Sequence, residues 1–127
     1  MNYSRQRECI KEYLMSTKEH PTAEVIYQNV KEEFPKISLA TVYRNLTLLV
    51  EVGEVRKIST GDGTEHYDGD TSAHSHYYCR CCHRVMDLDI TPSIDQILAA
   101  SSAGLGTVEN ANLLFTGVCK TCVLAQE

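Results

Sequence analysis

No apolar run in this 127-residue chain approaches the ~20 residues that a membrane-spanning helix needs, so neither a span nor a membrane partner is expected. The opening stretch, MNYSRQRECIKEYL, also lacks the apolar core of a secretory leader, and the expected location is cytoplasmic. An excess of positive charge is missing as well. Twelve Lys and Arg face seventeen Asp and Glu, a net charge of −5. Divided at Asp68, the chain holds nine basic against eleven acidic residues, then three against six, so neither half is basic. DNA binding would therefore need a local patch of positive charge. What is present is ordinary globular composition, 43 % hydrophobic and 23 % charged, enough for one compact domain or two small ones. Six cysteines in a reducing compartment point to metal or redox chemistry rather than disulfides.

The first half carries helical periods. Ile10, Tyr13 and Leu14 form a modest apolar stripe between Ser4 and Thr17, with Ser4 placed to cap it. After the break at Glu19-His20-Pro21, Ala23, Ile26, Tyr27, Val30 and Phe34 line one face of a second helix, capped by Thr22 and ended by Pro35. Ser38 caps a third, with Leu39, Val42, Tyr43, Leu46, Leu49 and Val50 on its apolar side and Gly53 as its stop. The following EVRKIST-GDG-TEHYD reads as two short strands joined by a turn. Three helices followed by a hairpin predict a winged helix whose third helix enters the major groove. Ser38, Thr41, Arg44, Asn45 and Thr47 are the outward positions suited to base edges and phosphates, flanked by Lys36, Arg56 and Lys57. Tyr43 lies between the apolar stripe and that surface.

The second half, from about Gly69, is too small to bury enough apolar surface unaided. Cys79-Arg80-Cys81-Cys82 and Cys119-Lys120-Thr121-Cys122 each set two thiols at the spacing with which one turn presents both sulfurs to a tetrahedral zinc. Transient disulfides are the rival reading, and Cys9 and Cys81 are left over. Strands are expected through Tyr77 to Cys79, Val85 to Ile90 and Leu113 to Gly117, with a helix from Pro92 to Ala103. Strand alternation makes His74 and His76 project from one face of their strand and Asp87 and Asp89 likewise from one face of theirs, and with Asp68 at the end of the hairpin imidazoles and carboxylates converge from separate elements. Imidazole mixed with carboxylate suits iron(II), manganese(II) or zinc in a second, exchangeable site. His66, Asp70 and Asp89 read equally well as surface residues and His83 as a bystander. Position alone leaves His20 unplaced.

HPTAEVIY at His20 to Tyr27, SLATVYRNL at Ser38 to Leu46, HSHYYCRCC with the following VMDLD, and the closing GVCKTC resemble the ferric uptake regulator family, and within it the peroxide-sensing repressors. The resemblance covers nearly the whole chain. It implies an α+β protein in which residues 1–68 form a winged-helix DNA-binding domain and residues 69–127 a small α/β dimerisation domain stapled by zinc. Carried over by position, His20, Asp68, His74, His76 and Asp87 are the regulatory ligands for Fe2+ or Mn2+, and Cys79, Cys82, Cys119 and Cys122 hold structural Zn2+. Ser38, Thr41, Tyr43, Arg44 and Asn45 form the DNA-binding set. A homodimer on a palindromic double-stranded operator is implied, with metal selecting the DNA-binding state and peroxide oxidising His20 or His74.

Iron-sensing relatives typically have a longer histidine-rich stretch where Ala73 and Ser75 stand, a glutamate in place of Asp87, and a histidine near Asn110 and Asn112; these departures favour the peroxide sensor. The YRNL wording at Arg44 is more usual in iron regulators, so an iron- or zinc-responsive uptake repressor without ligand oxidation is the alternative. An iron enzyme is the more distant rival. Against it stand a recognition helix and the lack of any apolar substrate-pocket signature.

Overall fold

The computed structural model describes residues 4–72, 74–109, 111 and 113–125, so the expectations placed on Ala73, Asn110 and Asn112 lie outside the described residues. The chain divides into two compact units, Met1–Ser72 and Ala73–Glu127.

In the first unit, helices α1 (Arg5–Ser16), α2 (Ala23–Val30) and α3 (Leu39–Glu51) precede strands β1 (Arg56–Ser59) and β2 (Glu65–Asp68). Each helix starts where a hydroxyl accepts an otherwise orphaned backbone N–H: Ser4 takes that of Arg7, Thr22 that of Val25 and Ser38 that of Thr41. Such a cap contributes about 1 kcal/mol. The periodic residues close one core of Ile10, Leu14, Ala23, Ile26, Val30, Val42, Leu46 and Leu49, completed by Ile37, Val55 and Tyr67. Helix α2 stops at Val30 and not at Pro35. The N–H of Phe34 bonds back to the Val30 carbonyl and that of Ile37 to Phe34, so Phe34 reaches the core from a turn rather than from the helix face. At the end of α3, Gly53 adopts φ +79 and donates to Val50, while the N–H of Glu54 returns to Leu49. This left-handed cap turns the chain into the hairpin.

Strands β1 and β2 are antiparallel, with Arg56 opposite Asp68 and Ile58 opposite His66. Asp62 fastens the turn by accepting from Thr60 Oγ1 at 2.6 Å and from the Thr64 N–H at 3.0 Å. These elements form a winged helix. Beyond Asp68 the chain runs tightly over the last turn of α1. A Cβ on Gly69 would stand 2.7 Å from the Leu14 carbonyl carbon and 2.8 Å from the Met15 nitrogen.

The second unit is a three-stranded sheet of order β4-β3-β5 made by β3 (Ser75–Cys79), β4 (Val85–Leu88) and β5 (Leu114–Gly117), with helices α4 (Ile94–Ser101) and α5 (Lys120–Ala125). The central β3 pairs antiparallel with β4 and parallel with β5. A parallel neighbour needs a crossover, and α4 lies within it. Helix α4 has a complete capping box between Ser93 and Gln96 but buries no residue. Ile94 is 76 % and Leu98 58 % exposed, and among the described residues of the unit the buried apolar ones are Tyr78, Cys79, Val85 and Cys119. The expected strand to Ile90 ends at Leu88, β3 begins at Ser75 instead of Tyr77, and the short α5 was not anticipated.

The close approach at Gly69 gives a direct test. Gly69→Ala forces a methyl group against helix backbone, and urea unfolding of the first unit is expected to show a loss of about 1–3 kcal/mol.

Candidate metal centres

Cys79 ends β3 and Cys82 sits in the turn leading to β4, while Cys119 precedes α5 and Cys122 lies in its first turn. Parallel pairing brings the two ends of the unit together. Cys79 stands opposite Gly117 in the register, and the Arg80 N–H donates to the Gly117 carbonyl at 2.9 Å. One sulfur from each of the four cysteines lies within 4.8 Å of all the others. The Cys82 and Cys119 sulfurs are 3.9 Å apart, and all four thiols are free. Tetrahedral zinc with Zn–S bonds of ~2.3 Å sets its sulfurs about 3.8 Å apart, so the spacing fits a thiolate-bound ion. It does not fit a disulfide, whose S–S bond is ~2 Å.

The electrostatics agree. The N–H groups of Cys119 and Cys82 point at the Cys79 sulfur from 3.3 and 3.4 Å and pull its thiol down to about 5. Cys122 is pushed up to about 12, first by donating its proton to the Cys119 sulfur and then by burial. Four thiolates at this spacing repel one another, a repulsion that a bound dication would offset. Cys9 lies outside this cluster. Burial, followed by its hydrogen bond to Glu33 at 3.1 Å, pushes it up to about 12, which disfavours the thiolate form.

Nitrogen and oxygen donors gather separately within each unit. In the second, His76 faces Asp87 across the β3–β4 ladder. The Nε2 atoms of His74 and His76 lie 3.0 and 3.6 Å from Asp87 Oδ1, and the two rings meet edge-on with centroids 4.7 Å apart. Asp87 is 37 % exposed, whereas the His74 and His76 side chains are 11 % and 4 % exposed. Asp89 lies past the end of β4 and is exposed, so the alternation that put it beside Asp87 fails there. Ser75, on the opposite face of β3, donates to the Ile90 carbonyl and draws the chain after β4 across the sheet.

In the first unit, His20 Nδ1 lies 3.5 Å from Asp68 Oδ2, with both side chains buried. The Asp70 N–H holds the other carboxylate oxygen at 2.9 Å. His20 has φ +51 although it precedes a proline. A non-glycine residue pays about 1–3 kcal/mol for the left-handed region, and the neighbouring pyrrolidine normally favours extended backbone. The compensation comes from β2. His66 Nδ1 lies 2.7 Å from the His20 carbonyl, and the Tyr67 N–H donates to the Pro21 carbonyl at 3.0 Å. His66 is thus buried, contrary to its reading as a surface residue. Its position two residues before Asp68, on the same face of a strand, was the available signal.

On α3, Ser38, Tyr43, Arg44 and Thr47 are exposed and Thr41 is partly so. Tyr43 is 41 % exposed and its hydroxyl donates to Glu24 at 2.9 Å, so it belongs to the surface more than to the core. Arg44 donates to Thr41 Oγ1 at 3.1 Å, which lays the guanidinium along the outward side. Asn45 corrects the expectation of an outward position. It is 7 % exposed, accepts from Arg7 of α1 at 3.4 Å and donates to the Thr41 carbonyl at 3.0 Å. A buried amide with partners on both sides fixes α3 against α1 and is withdrawn from the surface.

The profile of the ferric uptake regulator family matches residues 1–112. The peroxide operon regulator of Bacillus subtilis is 39 % identical over 119 residues, covering 92 % of this chain and 81 % of that protein. The peroxide-responsive repressor PerR of Staphylococcus epidermidis is 35 % identical over 119 residues, covering 92 % and 78 %. The Campylobacter jejuni peroxide stress regulator superposes with a TM-score of 0.74 at 31 % identity, covering 92 % of this chain and 88 % of its own. Together with the winged helix and the four-sulfur cluster, these matches establish that the chain belongs to the ferric uptake regulator family.

Proposed function

We propose that this protein is a metal-dependent DNA-binding transcriptional repressor that senses peroxide through iron-catalysed oxidation of a histidine ligand. The observation that carries the reading is the separation of donors by kind: four sulfurs in one cluster, and imidazoles with carboxylates kept apart from them. The sulfur set is proposed to hold structural zinc, since thiolates suit a closed tetrahedral site. The imidazole and carboxylate set, His20, Asp68, His74, His76 and Asp87, is proposed to hold exchangeable iron(II) or manganese(II). Three of these ligands come from the second unit and two from the first. A single ion on all five would therefore restrict the angle between the units, and metal would select one pose of the winged helices.

Dimerisation is supported by the apolar faces left exposed on the second unit, around Ile94, Leu98 and Phe115, which a second copy of the chain would cover. Two-fold symmetry would then present two α3 helices to the halves of a palindromic operator. Ser38, Thr41, Tyr43 and Arg44 are the residues proposed to meet the duplex.

When bound, iron(II) supplies the one-electron chemistry that activates hydrogen peroxide. The imidazole of His20 or His74 would gain one oxygen atom at a ring carbon, whose hydrogen moves to a ring nitrogen, and the second peroxide oxygen would leave as water with both peroxide hydrogens. An oxidised ring is a poorer donor, so the ligand set loosens and the units are released from one another. The manganese-loaded chain would repress without sensing. In this reading the protein is a regulator and not an enzyme.

Two measurements test the parts separately. Cys79→Ser is expected to abolish stoichiometric zinc and unfold the second unit at ambient temperature, as metal analysis and thermal unfolding would show, whereas Cys9→Ser leaves zinc content unchanged. Mass spectrometry of iron-loaded protein after peroxide should find one added oxygen on the peptide containing His20 or His74, together with release of a palindromic duplex. Release governed by metal alone, with both peptides unmodified, supports the iron- or zinc-responsive alternative instead.

A further inference from the structure

The reading above uses His20 as a ligand but does not say what aims it. A residue at φ +51 immediately before Pro21 does not hold that conformation by its own preference. Three consecutive residues of β2 grip the turn. His66 Nδ1 meets the His20 carbonyl at 2.7 Å, the Tyr67 backbone N–H meets the Pro21 carbonyl at 3.0 Å, and Asp68 Oδ2 faces His20 Nδ1 at 3.5 Å. His66 and Asp68 are two apart on a strand and so project to one face, the first holding the backbone of His20 and the second meeting its ring. A carbonyl oxygen only accepts, so Nδ1 of His66 carries the proton of this bond. Both His20 and His66 are buried, and solvent cannot readily replace the donor.

We infer that His66 is a positioning residue for the regulatory metal site. By donating to the His20 carbonyl it holds that residue in the left-handed conformation that turns its imidazole toward Asp68. The inference rests on the reading of His20 as a ligand and extends it to a histidine whose task is mechanical. Without the donor, the 20–21 turn relaxes toward the extended conformation preferred before proline, and the imidazole is no longer held toward the Asp68 carboxylate.

The test uses the full zinc-loaded chain and manganese(II), titrated by the electron paramagnetic resonance signal of the free ion. His66→Phe keeps a flat ring without a donor, and its manganese affinity is expected to fall by about ten- to a hundredfold. His66→Asn places an amide N–H where Nδ1 stood and should recover most of the loss, a rescue that packing alone would not give. In the metal-free protein, the His20 carbonyl carbon resonance should move in H66F and return in H66N. If H66F fails to fold, His66→Gln, whose donor sits one bond further out, takes its place and should bind more weakly than H66N. His20→Ala is the reference. If H20A binds manganese as the unaltered protein does, the ligand reading fails and the positioning role falls with it. If H20A binds weakly while H66F binds normally, or if H66N binds no better than H66F or H66Q, the positioning role alone is overturned.

Discussion

The carbonyl groups of His20 and Pro21 are each held by β2, one by the His66 ring at 2.7 Å and the other by the Tyr67 N–H at 3.0 Å. The left-handed backbone of His20 costs about 1–3 kcal/mol. Two buried hydrogen bonds contribute about 0.5–1.5 kcal/mol each, enough to offset that strain but with little to spare. The same strand pairs with β1 to make the wing and ends in Asp68. A strand needed for a DNA-binding fold thus also sets a histidine and a carboxylate facing each other. Gly69 carries the constraint one residue further, because the chain leaving Asp68 passes too close to the Leu14 backbone for any side chain.

The second unit faces a different difficulty. It buries few apolar side chains, and its helix α4 is held by its cap rather than by packing. Parallel pairing of β3 with β5 sets Cys79 beside the chain that leads to Cys119, which converts a long sequence separation into a compact four-sulfur cluster. Two backbone N–H groups aimed at Cys79 stabilise its thiolate before any ion arrives. A bound ion can then supply cohesion that hydrophobic burial does not. The apolar faces that remain give the unit a reason to associate with a copy of itself.

What was legible in the sequence was local. Ser4, Thr22 and Ser38 cap helices through hydrogen bonds to residues three positions on, so helix starts could be placed. The Gly-Asp-Gly turn and the paired cysteines are likewise signals of short range. What escaped depends on residues far apart in the chain. Asn45 lies on the polar side of α3 by periodicity, yet Arg7 of α1 covers it. Phe34 keeps the helical rhythm of α2 although the helix has already ended, because a turn delivers it to the core. His66 read as surface because one polar residue in a short strand carries no sign of which side is covered. The resemblance implied a ligand role for His20, but the left-handed backbone of the residue is written in no local pattern.

The central claim is that one exchangeable ion is gripped by ligands from both units. A crystal structure of the manganese-loaded protein, with the ion identified by anomalous scattering, tests it most directly. The account predicts a single ion bound by His20 and Asp68 together with His74, His76 and Asp87. An ion held by His74, His76 and Asp87 while His20 is directed elsewhere would contradict it.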